Sequence, residues 1–109
     1  MQVRLTGVSF GDCQQTLKSL MIKLATFREK PLVYLKRERD NPYDDNAVAV
    51  MVNLNGEKKI GYIPRASNSY LADYLDNGGK VDVFDVQVFG GYAGKNFGCI
   101  IHIKKHLEV

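Results

Sequence analysis

Val3 and Leu5 alternate with polar residues at the start of the chain, and Gly7 extends that alternation. A period of two predicts a first strand, ending near Val8-Ser9-Phe10. Gly11-Asp12 then offers a break and an N-cap. From Cys13 to about Thr26 the apolar residues fall at Leu17, Leu20, Met21 and Leu24, with Lys18 and Lys23 elsewhere. That spacing predicts an amphipathic helix. Arg28-Glu29-Lys30-Pro31 reads as a polar connection, closed by a residue that cannot continue a helix.

Leu32-Val33-Tyr34-Leu35 opens a second strand running to about Glu38. A polar stretch follows, and Ala47 to Leu54 then reads as a short buried strand. Asn55-Gly56 is a two-residue hairpin signal, so Lys58 to Ile63 should return antiparallel. Pro64 suits the first turn of a second helix, whose apolar stripe is Tyr70, Leu71, Tyr74 and Leu75. Asn77-Gly78-Gly79 closes it. A β-rich run from Lys80 to Phe89 carries Val81, Val83 and Val88. The glycine-rich tip Gly90 to Asn96 follows, and Phe97 to Lys104 returns. About six strands with two inserted helices predict a mainly β, α+β fold. Short strands around one small core predict a partly open β-barrel with a helix closing each end. With no linker, repeat or low-complexity tract, residues 1–109 are expected to form one domain.

Composition narrows the function classes. Hydrophobic content of 45% and charged content of 25% are ordinary for a globular protein. No run of about 18 apolar residues occurs, so no membrane partner is expected. Met1-Gln2-Val3-Arg4 lacks the apolar core of a signal peptide, which gives a cytoplasmic expectation. Cys13 and Cys99, few and far apart, fit a reduced compartment. The net charge of +3 is compatible with nucleic acid without requiring it. Its distribution says more. Lys36, Arg37 and Arg39 precede the polar stretch, and Lys58, Lys59 and Arg65 follow it.

No enzyme signature is present: no P-loop, no G-x-S-x-G and no HExxH, with only two histidines. Cys99, His102 and His106 lie close in sequence, and Cys13 could complete a zinc set. Strand alternation, however, puts Cys99 in the core with Phe97 and Ile101 and turns His102 the other way. No metal and no cofactor are expected. The polar stretch from Asp40 to Asn46 is more informative. Pro42 presets φ for a turn, and Asn41, Asp44, Asp45 and Asn46 are turn formers, so Tyr43 is held between two turns. Phe10, Tyr43, Tyr62, Tyr92 and Phe97 all fall at strand ends or loops, with Arg37, Arg39, Arg65 and Lys95 near in sequence. Each aromatic alone is explained by ordinary packing. Together they suit a single nucleic-acid strand, whose bases stack and whose phosphates need cations.

The run Arg39-Asp40-Asn41-Pro42-Tyr43-Asp44-Asp45-Asn46-Ala47-Val48-Ala49-Val50, followed by Ile60-Gly61-Tyr62-Ile63-Pro64-Arg65, resembles the core signature of the HIRAN domain. That family occurs at the N-termini of Swi/Snf-type DNA translocases and as small free-standing bacterial and phage proteins. The resemblance extends from Leu5-Thr6-Gly7-Val8-Ser9-Phe10 through Phe97. It implies a barrel related to OB-folds, and a module that captures the 3′ end of single-stranded DNA in repair or replication. On that resemblance, Asp44 accepts a hydrogen bond from the terminal 3′-hydroxyl, and Tyr43 and Phe10 stack or wedge against the last bases. Asn41 orients the loop or the nucleotide, Tyr62 and Arg65 meet the terminal phosphodiester, and Phe97 flanks a base. Ser9 stands where the family's DNA-end binders carry a basic residue. The alternative expectation is a protein-interaction or regulatory domain of the same fold, and DNA-processing proteins are further expected partners.

Overall fold

In the computed structural model, residues 1–26 and 30–106 are described; the predicted connection at Arg28-Glu29 lies outside them. The element order is β1 (Gln2–Arg4), α1 (Cys13–Thr26), β2 (Val33–Arg37), β3 (Val48–Asn53), β4 (Glu57–Tyr62), α2 (Arg65–Asp76), β5 (Val81–Gly90) and β6 (Phe97–Lys105). The strands form two antiparallel three-stranded sheets, ordered β1-β6-β5 and β2-β3-β4. They meet along a seam but do not close, giving the partly open, α+β arrangement predicted.

The seam explains the main difference from expectation. β1 is shorter than its alternation suggests, because the chain leaves one sheet for the other within two residues. The Leu5 N–H still donates to Cys99 in β6 at 2.9 Å. Thr6 then exchanges two bonds with Tyr62 of β4, at 2.9 and 2.8 Å. Gly7 follows with φ +64°, a left-handed conformation that ends the extended run.

The core fills the space between the sheets. Leu17 and Leu20 of α1 are fully buried with Val48, Val50 and Val52 of β3, Ile60 of β4 and Ile101 of β6. Every residue from Val48 to Val52 is buried, which accounts for a near-continuous apolar run where an edge strand would alternate. α1 packs on β4, β5 and β6, and α2 packs on β2 and β3. Asn55 and Gly56 both have positive φ, as a tight β3–β4 hairpin requires. Pro64 lies just outside α2, as its N-cap residue rather than in its first turn. Cys99 and Ile101 are buried on one face of β6, while His102 stands on the other.

Candidate nucleic-acid interface

The loop between β2 and β3 is built by its own side chains. Asn41 Oδ1 accepts from the Tyr43 N–H at 2.9 Å, and Asp44 Oδ1 accepts from the Asn46 N–H at 2.9 Å. These two Asx turns leave Tyr43 between them, 84% exposed. Arg37, at the end of β2, anchors the loop. Its guanidinium donates to the carbonyls of Asp45 at 2.6 Å and Ala47 at 3.1 Å, and to Asp76 at the end of α2 at 3.2 Å. Arg39 also reaches Asp76, at 3.0 Å.

In front of the loop lies a groove of about 1070 Å³, between the β1–α1 connection, the loop and the start of α2. Six of the residues expected at a binding site line it: Phe10, Asn41, Tyr43, Asp44, Tyr62 and Arg65. Phe10 is 69% exposed. Its ring closes over Gly7, where a Cβ would meet Tyr62 at 2.9 Å and Phe10 at 3.2 Å. Arg65 donates to the Tyr43 carbonyl at 2.8 Å, tying α2 to the loop tip. Phe97, the seventh, does not line the groove. Its ring covers Gly91 and packs against the core, and its backbone N–H and carbonyl are both held by the Gln14 amide. The same amide donates to the Val8 carbonyl at 2.8 Å, so Gln14 ties the start of β6 to the connection that carries Phe10.

Two carboxylates dominate the electrostatics. Asp44 is held below the usual carboxyl range first by the Asn46 N–H, against the opposing effect of burial, and then by the Asn68 amide, Arg65 and Arg37. Asn68 Nδ2 donates to Asp44 Oδ2 at 2.8 Å, and Arg65 Nε lies 3.6 Å from the same oxygen. Behind Tyr62, Glu38 accepts from the Tyr62 hydroxyl at 2.8 Å and Asn41 Nδ2 at 3.2 Å, and pairs with Lys59 at 2.5 Å. Burial alone would raise Glu38, but the hydrogen bonds from Lys59, Tyr62 and Asn41 outweigh it and lower it. Burial would likewise lower Lys59, yet its bonds to Glu38 and Tyr62 raise it. The Tyr62 hydroxyl is thus committed to Glu38 and Lys59, which leaves its ring as the part free to meet a ligand.

Sequence reasoning missed Arg37 as an anchor, the Glu38–Lys59 pair and Asn68. Burial pushes the Cys99 thiol up to about 12, which makes it an inert core group. Among the described residues no three His, Cys, Asp or Glu side chains come together as a metal site.

Exposed aromatics and charged side chains thus line one groove on a small, partly open fold. The HIRAN domain family model matches residues 4–92, and the chain belongs to that family, which is generally associated with DNA binding. The helicase-like transcription factor of Oryctolagus cuniculus is 34% identical over 73 residues, 67% of this chain but 7% of that protein. The chain therefore corresponds to a small part of that relative. The crystal structure of a protein from Lactobacillus plantarum is similar with a TM-score of 0.62 and 28% identity, over 96% of this chain and 92% of that one.

Proposed function

We propose that the chain is a non-catalytic, cytoplasmic, single-domain module that binds single-stranded DNA by its 3′-hydroxyl end, in repair or replication. The observation that carries this is the ionised Asp44 carboxylate, fixed on the groove wall between exposed Tyr43 and Arg65. An anion beside a polyanion is repulsive unless it meets a hydroxyl, and an ionised carboxylate can only accept. A chain end bearing a hydroxyl supplies that donor, whereas an internal phosphodiester does not.

The remaining residues fall into place around that contact. Tyr43 and Phe10 stack on the last bases, Asn41 holds the turn, and the Tyr62 ring forms the floor. Arg65 meets the terminal phosphodiester, with Arg39 exposed nearby. Phe97 acts at one remove, through the Gln14 tie that steadies the Phe10 connection. The experiment is a competition between a linear single strand and the same sequence circularised. A module that reads ends binds the linear form alone. Equal binding of both would leave only a generic electrostatic groove, and binding of neither would favour a protein-interaction domain.

A further inference from the structure

Asn68 is a polar residue in an apolar place. It lies on α2 one turn after Arg65, 3% exposed, on the face that contributes Leu71 and Ala72 to the core. Burying an amide there costs free energy unless it finds a partner. Its Nδ2 donates across 24 residues of sequence to Asp44 Oδ2, at 2.8 Å.

That oxygen has two suitors. Arg65 Nε stands 3.6 Å from Oδ2, beyond hydrogen-bond range, while the Asn68 amide is within it. Asp44 Oδ1 is meanwhile held by the Asn46 N–H. Asn68 and Asn46 together fix the carboxylate plane with neutral donors, while Arg65 offsets its charge only from beyond hydrogen-bond range. Without the amide, the flexible and exposed Arg65 would close on Oδ2 as a charge-assisted pair. That pair would neutralise the acceptor and occupy the cation at once.

We propose that Asn68 is the positioning residue that keeps Asp44 and Arg65 separately available, and so sets the preference for a terminal hydroxyl over a terminal phosphate. This rests on the reading of the groove as a 3′-end site. Asp44 serves the hydroxyl and Arg65 the phosphodiester only while Asn68 holds them apart.

The test compares a short single strand ending in a 3′-hydroxyl with the same strand ending in a 3′-phosphate. Wild type, Asn68→Leu, Asp44→Asn and the double variant are measured side by side. Leucine fits the apolar surroundings, and thermal unfolding is followed for each protein, with Asn68→Ala replacing any Asn68→Leu that fails to fold. Loss of a hydrogen bond to a charged group predicts that Asn68→Leu lowers the hydroxyl-to-phosphate preference about tenfold. Adding Asp44→Asn should remove whatever preference remains, and Asn68→Leu should change nothing further in the Asp44→Asn background, because Asn68 acts on the preference only through Asp44. In the free protein, an Arg65 pair that replaces the amide should keep the Asp44 carboxyl, followed by carbon-13 NMR, from titrating at higher pH in Asn68→Leu, whereas Asn68→Leu combined with Arg65→Gln should raise it. A wild-type preference that Asp44→Asn abolishes but Asn68→Leu preserves would overturn this inference and leave the site intact. No preference in wild type would overturn both.

Discussion

Arg37 and Asp76 are 39 residues apart in sequence and meet at 3.2 Å, joining the end of β2 to the end of α2. The same guanidinium donates to two carbonyls of the loop between β2 and β3, so one side chain ties the loop wall of the groove to the far end of α2. Asp76 closes the arrangement. Burial would raise its carboxyl, but the hydrogen bonds from Arg37 and Arg39 prevail and keep it low.

Replacing Arg37 with methionine keeps most of the stem and removes the charged donors. With the side chain only 14% exposed, the orphaned carbonyls should cost about 2 kcal/mol of stability. The midpoint of urea unfolding should fall accordingly. Affinity for single strands should fall as well, although the donors of Arg37 are committed within the protein and are not free for phosphate.

Tyr43 offers the opposite case. Its ring is almost wholly exposed, so Tyr43→Ala should leave the unfolding midpoint unchanged. One lost base stack is worth about 1–3 kcal/mol, so affinity for a short single strand should drop by roughly five- to a hundredfold. Calorimetric titration and a thermal melt on the same sample check both halves of that statement.

Much of this site was legible from local chemistry. The turn residues Asn41, Pro42, Asp44 and Asn46 specify the loop through bonds to their own backbone, and α1 follows from its apolar spacing between Cys13 and Thr26. What stayed hidden depends on distant partners. Asn68 looks like one more polar residue on a helix until Asp44 is found beside it. The end of β1 is hidden in the sequence because alternation continues through Gly7, while the actual break is set by pairing with Tyr62 in the other sheet. Phe97 had the right surroundings in sequence, but a glycine at position 91 gives its ring a place to pack.

Gly7 carries a second consequence. Its φ of +64° is costly for any residue with a Cβ, and that Cβ would press on Tyr62 and Phe10. Gly7→Ala should therefore cost about 1–2 kcal/mol in the unfolding equilibrium. It should also weaken single-strand binding, since the Phe10 ring must move. The same change at Gly11, where a Cβ meets nothing within 4 Å, separates backbone strain from displacement of the ring.

The Glu38–Lys59 pair predicts the pH profile. Glu38 titrates below its ordinary 4.5 when folded, so its contribution is full above 4.5 and is lost as pH falls through the folded value. Lys59 titrates above its ordinary 10.5, so its contribution is full below 10.5 and is lost as pH rises through the folded value. Urea midpoints measured across pH should decline at both ends. In Glu38→Gln the acid decline should be shallower but still present, because Asp44, Glu57 and Asp76 are lowered too. An acid limb identical to wild type would mean that the pair adds nothing.

The central claim is that Asp44 reads a terminal hydroxyl. Fluorescence anisotropy with two labelled single strands, alike except for a 3′-hydroxyl or a 3′-phosphate, tests it directly. Wild type should prefer the hydroxyl, because the ionised carboxylate accepts from it and repels the phosphate. Asp44→Asn, which keeps an oxygen for the Asn46 turn but loses the charge, should bind both ends alike. Equal binding of the two strands by wild type, or a preference that survives in Asp44→Asn, would contradict the account.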